Sequence, residues 1–502
     1  MVLVRGSVLA RALAALGVLI VLIAALLIVP SFLQGREGTT TTPPLTPTTP
    51  LANTPTAIAT TPTQPTGPIT LTIITRHPGE IQVAAKNEFL KSEIAKRYNI
   101  RDVEFYSVDP VAWVSAIQRR GDFDIAWGGG PTIFDNLLSR NLLAPLEGEP
   151  VSSALAQIPD TIAGAPMKRV SGGKVYWAAA SIASFGFTVN NEVLSKYNLK
   201  TPTSWRDLGS PALARPLVTE FKPMVSIADP TRSTSHTRMF QIILQAYGWE
   251  RGWVNLTAMA ANSLIEGGST EARDNVIAGK VAVAITIDFF GYTAMQANPA
   301  TRYIIPPGET IINGDPIALL VTSKNKEAAK AFIAWVLTEG QKIWFRSDIN
   351  RLPSNPKAFE LPEGAGRKDL KEAFESALRA RGMPFDDEKA MKTERAMQAY
   401  FKATLVDLDS LLKEVWRALV KAQLEGKIDE RRFNEYLRRL GEPLEYRDPV
   451  TGRTVKFSEE EAEKVTAAIQ ADTRLEESYM REWRRAAERR YGELLAEIRR
   501  FG

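Results

Sequence analysis

The sequence predicts an α/β protein of two lobes with a cleft between them, followed by an α-helical extension. Three observations carry this expectation. From residue 69 onward, β-branched apolar runs alternate with helical patterns, the order expected of parallel sheets covered by helices. One run, YWAAASIASFGFTVN (Tyr176–Asn190), is long for one strand and is expected to carry the chain from one lobe into the other. After Pro356 the strand pattern stops, and charged amphipathic helices continue to the end.

The elements follow in order. ITLTIITR (Ile69–Arg76) is β-branched and reads as a buried strand, followed by the helical IQVAAKNEFLKSEIAKRY. VEFYSV is the second strand and VAWVSAIQRR the second helix; FDIAWGG is the third strand and TIFDNLLSRNLL the third helix. The join DIAWGGGPTIFDNL contains Gly128, Gly129 and Gly130, with Pro131 suited to the first turn of the next helix. No Gly-Lys-Ser/Thr follows, and the glycines do not have dinucleotide spacing, so a nucleotide loop is excluded. Bare glycine backbone instead allows close approach of a ligand.

A second α/β set begins with the short helix of TPTSWRDL. VSIADP (Val225–Pro230) is a strand ending in a turn, and TSHTRMFQIILQAYG is a helix opened by Ser and Thr. DNVIAGKVAVAITIDFF gives a helix, a turn at Gly279 and a strand to Phe290; INGDPIALLV is a further strand, and KEAAKAFIAWVLTEGQKIWF a helix. The expected division is 69–185 with 308–360 as lobe 1, 186–307 as lobe 2, and 361–502 as the helical extension. In the extension, Ser458 and Glu461 have capping-box spacing, and the helix they open is expected to run to the end.

The N-terminus bears on compartment. Ala12–Phe32 is almost wholly apolar, and about 20 such residues span a bilayer. Arg5 and Arg11 precede it, which places the N-terminus in the cytoplasm and the rest outside. Residues 1–34 therefore read as a transmembrane anchor or signal, with an uncleaved anchor favoured by length. Residues 35–68 form a Thr/Pro-rich linker that cannot bury enough apolar surface to fold. The expected location is the extracellular face of the cell membrane, anchored by the N-terminal helix, or secretion if that segment is cleaved.

Composition removes several classes of function. The chain of 502 residues has no cysteine, so disulfides, thiolate metal sites and thiol nucleophiles are absent. Its two histidines, His77 and His236, cannot make a multi-histidine metal site. A formal net charge of +5 over this length gives no case for nucleic acid.

The segments TRHPGE, GDFDIAWGGGPTIFDNLLSRNLLAPL, GFTVNNEVL, PTSWRDL, ADPTRSTSHT, GKVAVAITIDFFGY and AKAFIAWVLTEGQKIW, with INRLPSNP behind them, stand in one register from Ile69 to Pro356. In that register the chain resembles the extracellular solute-binding proteins of ABC importers, of the two-lobed type II periplasmic-binding-protein-like fold related to the iron(III)-binding group. The resemblance implies capture of a small solute by hinged closure and delivery to a permease and ATPase. It implies no enzyme and no cofactor, because enzymes on this scaffold use a cysteine nucleophile or a cofactor held on cysteine. A ligand-sensing module working with a separate signalling partner is the alternative.

The resemblance also points to ligand contacts. Thr231, Arg232, Ser233, Thr234 and Ser235 lie between a strand and a helix, where unsatisfied N–H groups and the dipole favour an anion; N-capping alone is the competing reading. Arg76 and His77 follow the first strand, and His77 lies where iron-binding relatives place a ligating histidine. Phe289 and Phe290 stand where those relatives carry adjacent tyrosines, which argues against iron(III) held by the usual ligands; no metal site is expected. Asp288 either binds an amine or caps its turn, and Phe289, Phe290 and Tyr292 offer apolar walls. Trp127, Gly128, Gly129, Gly130 and Thr132 are the first lobe's contribution to the cleft. Ser184 and Phe185 lie at the expected crossing, and Asp315 is read as an Asx-type turn before Pro316.

Overall fold

The computed structural model describes residues 67–108, 112–380 and 382–501. The expected anchor, and the linker up to residue 66, lie outside the described residues. Among the described residues, no helix is long and apolar enough to cross a membrane.

One mixed sheet runs through the α/β part. Its principal strands are β1 (Ile69–Thr75), β2 (Ile100–Ser107), β3 (Ile125–Trp127), β4 (Lys174–Asn190), β5 (Val225–Ala228), β6 (Ser263–Glu266), β7 (Val283–Ile287) and β8 (Ile312–Leu320). They lie in the order β6-β5-β7-β4-β8-β3-β1-β2. β1 pairs in parallel with β2 and β3, as does β5 with β6 and β7, whereas β4 and β8 are antiparallel to their neighbours.

The long strand β4 joins two lobes. Ser184 pairs with Ile312 of β8, and the next residue, Phe185, pairs with Ile287 of β7. Every residue of β4 from Trp177 to Asn190 is buried, which accounts for its unbroken run of apolar and small side chains. Beside the crossing, the buried Thr310 hydroxyl donates to the Phe185 carbonyl at 2.6 Å.

Each lobe has its own core. In lobe 1, Leu71, Ile73, Trp127, Phe332 and Trp344 pack together, and the helix Lys368–Arg379 adds Leu370, Phe374 and Ala377 to this cluster. Lobe 2 packs Phe187, Trp205, Phe240 and Trp253, and its cluster continues without a break into the helices after residue 386. Phe401 stacks on Phe240 at 4.5 Å, Tyr400 meets Trp253 edge-on at 4.7 Å, and the Trp416 indole donates to Asn262 at 2.6 Å. The α-carbon of Val254 lies 2.6 Å from where a Cβ on Gly441 would be, so helices Trp249–Ala261 and Glu430–Gly441 touch at backbone distance. The extension is thus built into the core of lobe 2 while its first long helix belongs to lobe 1.

One expectation for the extension is corrected. The final helix is broken into Glu459–Ala471 and Leu475–Ile498. The cause is Asp472, whose carboxylate accepts from the Arg474 backbone N–H at 3.1 Å and holds the Arg474 guanidinium at 2.8 Å. Such a local side-chain turn competes with helix continuation.

Candidate functional site

The candidate residues fall into three groups: a glycine loop and floor in lobe 1, the crossing, and a hydroxyl-rich turn in lobe 2.

In lobe 1, Gly128, Gly129 and Gly130 all have positive φ, at 84°, 111° and 90°, a run that only glycine adopts without strain. Two of their N–H groups are consumed within the protein: Gly128 donates to the Pro316 carbonyl at 2.8 Å and Gly129 to Asp315 Oδ1 at 2.8 Å. The expected bare backbone is thereby corrected at those two positions. The Asx-type reading of Asp315 is corrected with it, because its carboxylate instead holds Gly129 and, at 2.6 Å, the Arg351 guanidinium. Burial pushes the Asp315 carboxyl up, but Arg351, His77 and the Gly129 N–H outweigh this and hold it below the ordinary range.

His77 completes this floor. Its ring is edge-on to Trp127 at 4.6 Å and fills the space a Cβ on Gly128 would occupy, with Nε2 2.7 Å from that position. Arg351 lies 3.4 Å from His77 Nδ1. A guanidinium only donates, so Nδ1 accepts and the ring proton sits on Nε2. That Nε2 is buried without a hydrogen-bond partner, as is Arg351 Nε. Burial, aided by Arg351 against the pull of Asp315, lowers the His77 pKa to about 4, so the ring is neutral near pH 7. Trp127 is fully buried in the lobe 1 core, 6.0 Å from Trp344, with the His77 ring against it. Arg76 is half-buried, its stem packed against Gly129. Thr132 is in the first turn of the helix Pro131–Ser139, and its hydroxyl donates to Asp387 at 2.6 Å.

At the crossing, Asp288 is fully buried. Its Oδ2 accepts from the Ser184 N–H at 2.7 Å and its Oδ1 from the Phe289 N–H at 2.8 Å. Asp288, the first residue of the helix Asp288–Ala297, therefore ties the start of that helix to β4. Burial, resisted by Arg351 and these hydrogen bonds, raises its pKa to about 6. Phe185 is buried in the lobe 2 core. Phe289 and Phe290 are half-buried with ring centres 4.6 Å apart; Arg351 lies over Phe289 at 5.5 Å and Arg273 over Phe290 at 5.0 Å. Tyr292 is buried in the lobe 1 cluster, edge-on to Tyr303 at 5.4 Å.

In lobe 2, Asp229 shapes the turn by accepting from both the Thr231 N–H at 2.8 Å and its hydroxyl at 2.7 Å. Thr231 is therefore a turn former. Ser233 caps the helix Thr234–Tyr247 by accepting from the His236 N–H at 3.2 Å. Its hydroxyl also lies 2.6 Å from that of Ser269, which lies 2.8 Å from Ser235. Ser269 is the first residue of the helix Ser269–Ile277, so two helix N-termini converge on one cluster of hydroxyls. Thr234 and Arg232 are exposed, and the Arg232 guanidinium lies over Gly267, where a Cβ would come within 2.9 Å of it. His236, fully buried beneath the cluster, has its pKa lowered to about 3 by burial.

Sequence reasoning missed Ser269, Arg273 and Arg351. Ser269 was findable: in IEGGST a strand, a short turn and a Ser/Thr helix start follow one another, the order also present in ADPTRSTSHT. Arg351 carried no local signal. Among the described residues, no group of three or more His, Asp or Glu is placed to hold a metal ion.

Comparison with known proteins agrees with this architecture. The family model described as bacterial extracellular solute-binding protein matches residues 78–343, more than half of the chain. The phosphoglycerate transport regulatory protein PgtC of Salmonella typhimurium is 24% identical over 306 residues, covering 61% of this chain and 69% of that protein; the Salmonella typhi protein matches equally. Among solved structures, the GacH receptor of Streptomyces glaucescens, described unliganded and with acarbose, matches with TM-score 0.51 and 16% identity over 74% of this chain and 96% of that one. The periplasmic binding protein P5PA matches with TM-score 0.46 and 21% identity over 64% and 94%. The chain belongs to the family of bacterial extracellular solute-binding proteins.

Proposed function

We propose that this solute-binding protein captures a small anionic solute, a phosphate ester in particular, between its lobes and delivers it to the permease and ATPase of an ABC importer. The observation that carries the reading is the convergence of two helix N-termini on Ser233, Ser235 and Ser269, with the exposed Arg232 and the half-buried Arg273 beside them. Helix N-termini favour anions through unpaired N–H groups and the dipole, and guanidinium forks match phosphate oxygens. Thr234, one residue into its helix, adds an exposed hydroxyl. Arg76, His77, Gly130, Ser184, Asp288, Phe289 and Phe290 supply the opposing floor and walls, with the His77 Nε2–H and Arg351 Nε as further donors. The phosphoglycerate in the name of the Salmonella relative supports the same chemical class. In this reading residues 12–32 tether the protein to the membrane and residues 35–68 let it reach its permease at high effective concentration.

A thermal-shift and calorimetric screen of 3-phosphoglycerate, inorganic phosphate, uncharged glycerol and iron(III) tests the proposal. A ligand at 100 times its Kd adds about 2.7 kcal/mol of stability. A shift with the phosphate ester and none with glycerol is expected; a shift with iron(III) alone overturns the reading. The word "regulatory" in that relative's name favours one second reading, a sensing module with a separate signalling partner. Crosslinking from the native membrane separates the two, with a permease recovered for import and a kinase for sensing.

A further inference from the structure

The extension touches the α/β body at three successive places. Helix Lys368–Arg379 packs in the lobe 1 core. The Met383 N–H then donates to the Thr310 carbonyl at 2.8 Å, beside the crossing at Phe185. Finally, helix Asp387–Phe401 lies along the lobe 2 helix Thr234–Tyr247, where Gln241 donates to the Ala390 carbonyl at 3.1 Å and Gln245 to the Asp386 carbonyl at 2.8 Å. Residues 382–387 therefore lead from beside the crossing to lobe 2.

Asp387 stands where this strap arrives. Its Oδ1 accepts from the Thr132 hydroxyl of lobe 1 at 2.6 Å and from the Arg238 guanidinium of lobe 2 at 2.9 Å. Thr132 is in the first turn of a lobe 1 helix, next to the glycine loop, and a carboxylate is favoured there by the dipole. Arg238 is one turn beyond Thr234 in lobe 2 and lies over the ring of Phe385, from the strap itself, at 5.0 Å. One carboxylate of the extension thus joins a helix start of lobe 1 to the second turn of a lobe 2 helix, the kind of contact a bridging ligand makes when it closes two lobes.

We infer that Asp387 is an interlobe latch: it holds the two lobes together in the absence of ligand and so biases the open–closed equilibrium before any solute arrives. A two-state hinge responds to any group with different affinity for its two forms, and a carboxylate that meets Thr132 and Arg238 together binds only the closed form. The latch is independent of which solute binds, so its test succeeds or fails separately from the proposed function.

The chain has no cysteine, so spin labels can be placed without background. With Ser139→Cys in lobe 1 and Lys280→Cys in lobe 2, both exposed, pulsed electron resonance reads the interlobe distance of the full chain without ligand. Asp387→Ala is expected to shift the distribution to longer distances and broaden it, and Thr132→Val to do the same. The double variant should add nothing beyond Asp387→Ala, because both remove one contact. Glu388→Gln removes a charge from the same helical turn and is expected to leave the distance unchanged, which separates the latch from a general loosening of the helix start. Unchanged distances in Asp387→Ala, or an equal shift in Glu388→Gln, overturn the inference.

Discussion

The two turns that lead into helices in the candidate site have the same local plan and different chemistry. In lobe 1, a strand ends in three glycines and a helix begins at Pro131; in lobe 2, a strand ends in ADPTRS and a helix begins at Thr234. The glycine loop is turned inward. Its N–H groups at Gly128 and Gly129 are held by Pro316 and Asp315, and Asp315 is held in turn by Arg351. The lobe 2 turn spends Asp229 and Thr231 on its own shape and leaves Thr234, Ser235 and Ser269 at its rim. The contrast is between a loop whose polar groups are tied into the rest of lobe 1 and a turn whose hydroxyls bond one another where two helices start, there to serve a ligand on the proposed function. Damage to the first should register in stability, and damage to the second in affinity.

The largest expected effect follows from removing Arg351. It alone among the floor cations reaches Asp315, and it also lowers the pKa of the buried Asp288. Breaking a buried pair by deleting one partner costs about 3–5 kcal/mol, because the other charge remains buried. Arg351→Met should lose that much in urea denaturation at pH 7. A loss below about 1 kcal/mol would show that the floor does not depend on this pair.

Acidification tests both lobes together. His77 and His236 have folded pKa values of about 4 and about 3, below the ordinary 6.5, so each contributes stability that is present above pH 6.5 and is lost as pH falls toward those values. Each contribution is a few kcal/mol. Asp288 acts with the opposite sign. Its folded pKa of about 6 lies above the ordinary 3.8, so its contribution is present below about pH 4 and is lost as pH rises to 6. Wild-type stability should fall from pH 6.5 to 4, and Asp288→Asn should steepen the fall by removing the opposing term. An equal slope in the variant would place the Asp288 titration outside this window.

Much of the fold was legible because periodicity reports burial on a local scale. The long strand showed its role through fifteen residues that are all apolar, small or uncharged, and Ser184–Phe185 is where the pairing changes lobes. The role of the glycine loop was not legible, because the acceptor for Gly129 lies 186 residues away and no local pattern announces it. The extension's amphipathic stripes announced that they would bury something but not what; Tyr400 and Trp416 meet lobe 2, and Leu370 and Phe374 meet lobe 1. Ser269 was legible in IEGGST and became conspicuous only when its helix start was seen beside that of Thr234.

Gly128→Ala sharpens the contrast from the lobe 1 side. The residue has φ +84°, and its Cβ would come within 2.7 Å of His77 Nε2, so the ring must move. The cost of holding a non-glycine residue in such a conformation is about 1–3 kcal/mol. The variant should lose stability by that amount in urea. If it is as stable as the wild type, the loop is not the inward-facing element described.

Ser269→Ala is the smallest change and the most discriminating. Ser269 is only half-buried, as is its neighbour Ser235, and Ser233 keeps its capping bond to the His236 N–H, so stability should stay within about 0.5 kcal/mol of wild type. Its hydroxyl stands at the start of the second helix, where a phosphate oxygen would receive it together with the helix N–H groups. Losing one hydrogen bond to a charged group costs about 1.5–3 kcal/mol, so affinity for 3-phosphoglycerate in calorimetry should fall at least tenfold. Because the N–H groups remain after the substitution, binding should weaken and not vanish. A variant that loses stability but keeps its affinity would make this cluster a packing device like the glycine loop, and the distinction between the two lobes would collapse.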